Sequence, residues 1–362
     1  MDSFGFGINI GVNDMFSSAF DNIANKINNL PNMTSSALAR VESGFANIKL
    51  GGNIAAVGLA MSAPFILAID KAAEFSDINA DIMKTTGQTI QEVSEFSKEL
   101  ENIDTRTSLG GLLEITKIGG SIGVATNQML GFTNAIDMAN VALGDEFKGG
   151  AEQITKELGT LKNLFDTTKG MEYGLAMSSI GSAINELGAV GLATGPNLSD
   201  FAKRMGQLVE IAPSLKATLG LGATLEELGL KSEVAAGGLS NVLLVAGENA
   251  TTFSKQLGLS LQDFREIYSS RPEEIIMRLG QSFKGLDEVG VAQKLKELKI
   301  GSQESIKVFS SLKDNTDLLQ KRMTLAGDAF DKNTSLSKEF GIILWQQLLI
   351  RLVMFWKYYQ RV

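Results

Sequence analysis

Apolar residues recur at spacings of three and four through most of the chain, which is the pattern of amphipathic helices. The stretch 184–229 illustrates it, because the breaks at Gly195-Pro196 and Ala212-Pro213 are each followed by Asn or Ser and then by a new apolar run. Such breaks are typical of helix ends and starts. No strand-like alternation lasts longer than a few residues. The pattern predicts an all-α fold, a multi-helix array whose helices are punctuated by glycine and proline.

The first fifty residues predict two further helices. The first covers Phe16 to Leu30 and ends at Pro31. The second carries a 3-4-3 apolar spacing, a short heptad seam, at Leu38, Val41, Phe45 and Ile48. Residues 1–50 are therefore predicted to be a helical segment, either as surface helices on a core or as a hairpin or oligomeric coiled coil.

Residues 51–69 consist mostly of small and apolar side chains. The segment is long enough to raise the question of a membrane span. Asn53, Ser62 and Pro64 argue against a stable helix exposed to lipid, and much of the bulk is alanine and glycine. Two interpretations stay open: a buried packing helix, which we favour, and a membrane-active segment.

The chain from residue 70 onwards continues as helices with recognisable ends. Gly87 suits the position just after a helix, and Thr89 with Glu92 has the capping-box pattern that starts the next one. Residues 109–143 predict two deeply buried helices with a break at Gly119-Gly120, and residues 151–165 predict another amphipathic helix. Paired glycines of this kind indicate close helix packing, hinges or a chain that changes shape.

Composition removes most kinds of enzyme site. The chain of 362 residues contains no histidine and no cysteine, so it lacks the commonest general base and the commonest zinc ligands. Catalysis by Ser-His-Asp or Cys-His arrangements is excluded within this chain. The net charge of −8 disfavours a polyanionic partner held by bulk electrostatics.

The remaining chemical motifs are weak. No Gly-Lys dipeptide exists for a phosphate-binding loop, and Gly220-Leu-Gly222 lacks the third glycine of a dinucleotide site. Adjacent carboxylates diverge on a helix and usually belong to a solvated face, and the adjacent basic pairs are isolated. These pairs are Glu226-Glu227, Glu273-Glu274, Lys203-Arg204 and Lys321-Arg322. We predict no catalytic, cofactor-binding or metal-binding residue, and a structural or interaction protein.

An ordered set of phrases resembles the core region of phage tail tape measure proteins, the phage minor tail protein family. Within the central stretch the phrases are Ile184-Asn185-Glu-Leu187, Ala193-Thr194, Phe201-Ala202-Lys203-Arg204 and Leu221 to Gly229, running into Glu233-Val-Ala235. Further phrases in the same order lie at 72–75, 119–143, 253–260, 295–301 and 325–340. The resemblance covers roughly residues 60 to 340, the region 70–340 being the predicted helical core.

The resemblance implies a non-enzymatic component of a phage tail. Members of this family run along the lumen of the tail tube, set tail length by templating tube assembly, and leave with or ahead of the DNA. The implied partners are tail tube and tail-assembly chaperone proteins, together with self-association and contact with the host membrane during ejection, without specific binding to nucleic acid. The implied locations are the tube lumen and, during assembly, the host cytoplasm. A membrane-active, pore-forming helical protein is the alternative.

The last 22 residues, 341–362, depart from the family pattern. They contain both tryptophans and no acidic residue. Reading this segment in another frame, with permitted codons, gives an alanine-rich amphipathic helix of the kind expected there, so we hypothesise a frameshift near Gly341 and a partial or truncated copy. A genuine apolar tail is the alternative. An in-frame stop in the other frame of the DNA would contradict the hypothesis.

Four residues of the central stretch are candidates for packing contacts or for a solvated face. They are Phe201, Lys203, Arg204 and Glu227. The sequence assigns no functional role to any of them.

Overall fold

A computed structural model of the chain describes residues 75–359, with the side chains described through Met354. The described residues belong to one of two units into which the chain divides, residues 74–362. The predicted segments 1–50 and 51–69 lie outside the described residues, so the N-terminal coiled coil stays a prediction.

Seventeen α-helices make up the described part of the chain, and no strand occurs in it, so the prediction of an all-α fold is confirmed. The helices are α1 (75–86), α2 (Ile90–Glu101), α3 (Leu109–Ser121), α4 (Met129–Leu143), α5 (Gly150–Leu164), α6 (Asp166–Lys169), α7 (Tyr173–Val190), α8 (Gly195–Gly206), α9 (Leu215–Glu227), α10 (Ser232–Glu248), α11 (Ala250–Gln256), α12 (Leu261–Ser270), α13 (Pro272–Ser282), α14 (Glu288–Glu297), α15 (Gln303–Leu312), α16 (Thr316–Lys332) and α17 (Ser335–Tyr359). Short 3-10 turns lie at Thr126–Gln128 and Val209–Ile211.

Local sequence sets many of the helix ends. The capping box predicted at the start of α2 is present, because the Thr89 side chain accepts from the Glu92 N–H while the Glu92 carboxylate accepts from the Thr89 N–H. Gly87 has a φ of +74°, as predicted for the residue after α1. Arg271 alone separates α12 from α13, because Pro272 has the fixed φ that suits the first position of a helix.

One predicted break is misplaced. Gly119 and Gly120 lie inside the last turn of α3 and do not separate two helices. A side chain at Gly119 would collide with the Phe132 ring of α4, and one at Gly120 would collide with Thr85 of α1. The two glycines therefore allow close packing of α3 against α1 and α4. The chain turns just afterwards at Gly123, whose φ is +83°.

The apolar side chains form two cores that share three helices. Helices α1 to α5 and α7, with Leu336 of α17, build the first core, α10 to α15 build the second, and α8, α9 and α16 contribute to both. In α8 two neighbouring faces serve the two cores, and in α9 two nearly opposite faces do so. The side chains in the first core are Leu198, Ala202, Leu215 and Leu219, and those in the second are Phe201, Met205, Leu221 and Leu225.

Helices cross at glycines where backbone meets backbone. A Cβ on Gly220 of α9 would lie 2.5 Å from the Cα of Met323 on α16. A Cβ on Gly238 of α10 would lie 2.8 Å from the Glu304 backbone at α15. Because no side chain can fit at these points, the layers are held closer together than alanine would allow.

Helix α17 returns to the first core and then leaves it. Leu336 is fully buried beside Gly181 of α7, and Asn185 donates to the Ser335 hydroxyl across 2.9 Å. The predicted boundary at Gly341 falls inside this helix, which runs on without a break. Among the described helices, none combines the length and the apolar content needed to cross a membrane.

We expect Gly220→Ala to lower the free energy of unfolding by about 1–3 kcal/mol, because its methyl group would press against the Met323 backbone. Gly327→Ala in α16 is the matched control: its Cβ meets no atom within 4 Å, so it should stabilise by about 0.5–1 kcal/mol. Urea unfolding measures both values. Equal effects from the two changes would contradict a close crossing at Gly220.

Candidate functional site

A junction of polar side chains connects α7, α8, α9 and α16 at the end of the central stretch. The Arg322 guanidinium on α16 meets the Glu227 carboxylate on α9 in a two-pronged pair, with Nε 2.6 Å from Oε1 and Nη2 2.9 Å from Oε2. Nη2 also donates to the Val190 carbonyl at the end of α7 across 3.0 Å. One guanidinium therefore joins three helices.

Both partners of this pair are largely removed from water, since their side chains are 15% and 13% exposed. Planar two-pronged contacts are the strong and orienting form of the Arg–carboxylate pair. Gly191 begins the following loop, and a side chain there would collide with the Glu227 carboxylate. The α7–α8 loop therefore closes directly over the ion pair.

The start of α8 is held by two more carboxylates. Glu146 Oε2 accepts from the Gly195 N–H at 2.5 Å, and Glu226 accepts from the Thr194 N–H at 3.4 Å and from the Asn197 amide. Free N–H groups at a helix start attract negative charge. The Gly195-Pro196 break therefore starts a helix whose first turn is capped from two other parts of the chain.

The four candidate residues of the central stretch make separate contacts. Phe201 is buried against Gly222 of α9, and Lys203 pairs with Glu157 of α5 at 2.8 Å. Arg204 makes a pair with Asp200 on its own helix at 2.9 Å, and Glu227 binds Arg322. Among the described contacts none joins two of these four residues. They stabilise helix packing rather than forming one cluster.

The expectation of solvated carboxylate pairs is wrong for both pairs. Glu226 and Glu227 cap α8 and bind Arg322, as described above. Glu274 pairs with Arg271 and Arg278, and its side chain is 25% exposed. The Glu273 Oε2 is buried, and burial raises the pKa of its carboxyl. Residues adjacent on a helix do diverge, but Glu226 and Glu227 are covered by contacts with α8 and α16, and Glu274 is paired with arginines of its own segment.

Two buried ionisable groups were missed from the sequence. Asp137 of α4 is fully buried: Thr107 donates to its Oδ1, while Oδ2 lacks a hydrogen-bond partner among the described residues. Burial raises the pKa of its carboxyl. Lys162 of α5 donates to the Lys169 carbonyl across 3.0 Å and lies 4.3 Å from the Tyr173 ring centre, and burial lowers its pKa. In the sequence, each is a single charged residue with apolar neighbours, and that pattern could have indicated a buried charge.

The described residues contain no group of three or more carboxylates placed to hold a metal ion. One shallow surface groove lies between α11 and the end of α14, with a lysine and a glutamate at its edge. Its lining residues are Thr251, Thr252, Lys255, Gln256, Glu297 and Leu298.

The comparison with protein families matches residues 87–299 to the family described as phage-related minor tail protein. The match covers more than half of the chain. The chain belongs to the phage-related minor tail protein family. Family membership supports a structural role in a phage tail and location in the virion tail. No curated protein matches, and no solved structure matches.

The matched region contains most of the polar junction but not Arg322. The carboxylate Glu227 and the capped start of α8 lie inside residues 87–299, whereas α16 follows the match. The junction therefore ties the family region to the helices that come after it.

We expect Glu227→Gln to lower the free energy of unfolding by about 3–5 kcal/mol, because it leaves the Arg322 charge buried without its partner. Asp200→Asn is the matched control, since it breaks an exposed Arg–carboxylate pair on α8. That change should cost at most about 1 kcal/mol. Urea unfolding of both variants checks the contrast. A cost for Glu227→Gln no larger than that of the control would show that the buried pair contributes little.

We expect Asp137→Asn to stabilise the protein at pH 7. The folded-state pKa of Asp137 is raised, so ionisation in the folded state carries a free-energy penalty that grows as the pH rises above the unfolded-state value of about 3.9. Below that pH both states hold the proton and the benefit should vanish. Urea unfolding at acidic and neutral pH measures this. A benefit that does not change with pH would assign the effect to hydrogen bonding alone.

Proposed function

We propose that this chain is a phage tail tape measure protein, either the N-terminal part or a truncated copy of one. In this role it sets tail length by templating the assembly of the tail tube, lies in the tube lumen, and leaves with or ahead of the DNA. Before incorporation it is located in the host cytoplasm. The observation that carries the proposal is the family match over residues 87–299 in a chain whose described residues are helical.

Helical structure suits a linear ruler because a continuous α-helix rises 1.5 Å per residue, whatever its sequence. Residues 75–359 would span about 430 Å as one helix. Several neighbouring helices are separated by single residues, so little chain would need to change conformation to straighten them. The single-residue separators are Phe165 between α5 and α6, Asn249 between α10 and α11, and Arg271 between α12 and α13.

The proposed partners are the tail tube subunits, the tail-assembly chaperones and further copies of this chain. Contact with the host membrane belongs to the ejection step of the proposal. The frameshift near Gly341 stays a hypothesis about the DNA.

The test is tail length in phage that carry edited genes. An in-frame deletion of residues 232–312, which hold α10 to α15, should shorten the tail by about 120 Å, and a duplication of the same residues should lengthen it by about 120 Å. Electron micrographs of assembled tails measure the change.

The matched control disturbs the compact unit without changing the number of residues. Phe201→Ala removes a buried ring and should destabilise the fold by about 3–5 kcal/mol. Tails that assemble with this variant should keep the original length. Tails of unchanged length after the deletion and the duplication would overturn the tape measure proposal.

A further inference from the structure

Helices α3, α9, α11 and α14 end in the same left-handed turn. The second residue after each helix has a positive φ, which is +83° at Gly123, +82° at Gly229, +67° at Gly258 and +68° at Lys299. The next residue donates its N–H to the carbonyl five positions earlier, across 2.8 to 3.0 Å. This hydrogen bond defines the Schellman motif of helix ends.

The residues after each turn lead directly into another helical segment. The residue that donates the Schellman hydrogen bond is apolar in all four: Val124 and Ile300 are buried, and Leu230 and Leu259 are partly buried against the second core. The residue that begins the following segment has an extended backbone each time. We call these connections corners, and they comprise residues 123–125, 229–231, 258–260 and 299–302.

The corner 258–260 folds the chain back on itself. The ring centres of Phe253 and Phe264, which lie on its two sides, are 6.3 Å apart. In one continuous helix the Cα atoms of these two residues would be about 16 Å apart. The chain on both sides is already helical, so a change at a few residues around Gly258 would turn two packed helices into one long helix.

The corner glycines serve the backbone conformation and not close packing. A Cβ at Gly123, Gly229 or Gly258 would meet no atom of the described residues within 4 Å, in contrast to Gly220. Glycine adopts either sign of φ with similar ease. A residue with a Cβ is disfavoured in the left-handed region by a factor of about 5 to 30.

Inside a helix the preference is reversed, because alanine is favoured over glycine by a factor of about 5. Compared with alanine, glycine therefore favours a corner over a continuous helix by a factor of about 25 to 150. Three such corners are set in this way by Gly123, Gly229 and Gly258. The fourth, at the exposed Lys299, lacks this bias although its φ is equally positive.

We propose that Gly123, Gly229 and Gly258 are conformational switches at which the compact unit and the extended chain interconvert. Each glycine holds its corner in the compact unit and becomes an ordinary helical residue, with a negative φ, when the helices separate. The inference rests on the proposed function, because the extended state belongs to that proposal. It adds the positions at which the chain straightens and the reason for glycine at each of them.

The test is a distance across the corner 258–260 in the full chain. The sequence has no cysteine, so Thr252→Cys and Ser270→Cys at two exposed positions would carry the only spin labels. These positions are separated by five helical turns, or about 27 Å in a continuous helix. Double electron–electron resonance measures the distance in trifluoroethanol and water, a mixture that disperses tertiary packing while helices persist.

We expect Gly258→Ala to raise the population at about 27 Å, relative to shorter distances, at least tenfold over the wild-type chain. Gly229→Ala is the matched control, because it makes the same change at a corner outside the labelled pair. It should leave the ratio within about twofold of wild type. The measurement does not require the variants to fold in buffer, since the cores are already dispersed.

Urea unfolding in buffer tests the same preference with the opposite sign at the fourth corner. Gly258→Ala should raise the equilibrium constant for unfolding, because alanine is strained at a positive φ. Lys299→Gly should lower it, because glycine removes that strain.

Three outcomes would overturn the proposal. They are equal distance distributions for the wild-type and Gly258→Ala chains, an equal shift in Gly229→Ala, and a Lys299→Gly chain that unfolds more readily than wild type. The tail-length experiment is independent of all three, because tail length depends on the number of residues and not on which residues straighten.

Discussion

The crossing of α9 and α16 is the contact on which the rest of the fold depends. Gly220 lets the two backbones touch at Met323, and an ion pair lies towards each end of the crossing, Lys216 with Asp331 and Glu227 with Arg322. Both helices contribute side chains to both cores. A change in their separation would therefore disturb the two cores together, since protein interiors are packed too densely to absorb it.

This contact is also remote along the chain. Glu227 and Arg322 are separated by 95 positions, and the Ser178 hydroxyl donates to the Asn333 carbonyl over 155 positions. The first core therefore stays incomplete until α16 and the start of α17 have packed against it. Contacts this distant close large loops, so we expect them to form late in folding.

The buried ion pair contributes differently from the apolar contacts around it. The free-energy cost of removing two charges from water offsets much of the attraction between them, so the net gain in stability is small. Geometry is the clearer benefit: the planar fork of Arg322 contacts Glu227 and the Val190 carbonyl together, which favours this arrangement of the three helices. Apolar side chains tolerate sliding, whereas this pair fixes the register of α16 against α7 and α9.

The sequence predicted what depends on near neighbours. The capping box at Thr89 and the helix start at Pro196 need only residues within a turn of each other. The role of Gly119-Gly120 needed knowledge of Thr85 and Phe132, which approach from other helices. The Glu227–Arg322 pair could not be predicted from the sequence for the same reason. A carboxylate that would face water on an isolated helix is covered here by α16, whose Arg322 lies 95 positions further along the chain.

That division bears on how one chain could be compact when free and extended in a tail. The capping box at Thr89 and the single-residue breaks are local, so they do not depend on contacts between helices. The Gly220 crossing, the Arg322 junction and the anchoring of Leu336 are long-range, and all of them would be lost in an extended chain. Burial in a tube would then have to replace the two apolar cores. The proposed ruler therefore depends on the local contacts and not on the long-range ones.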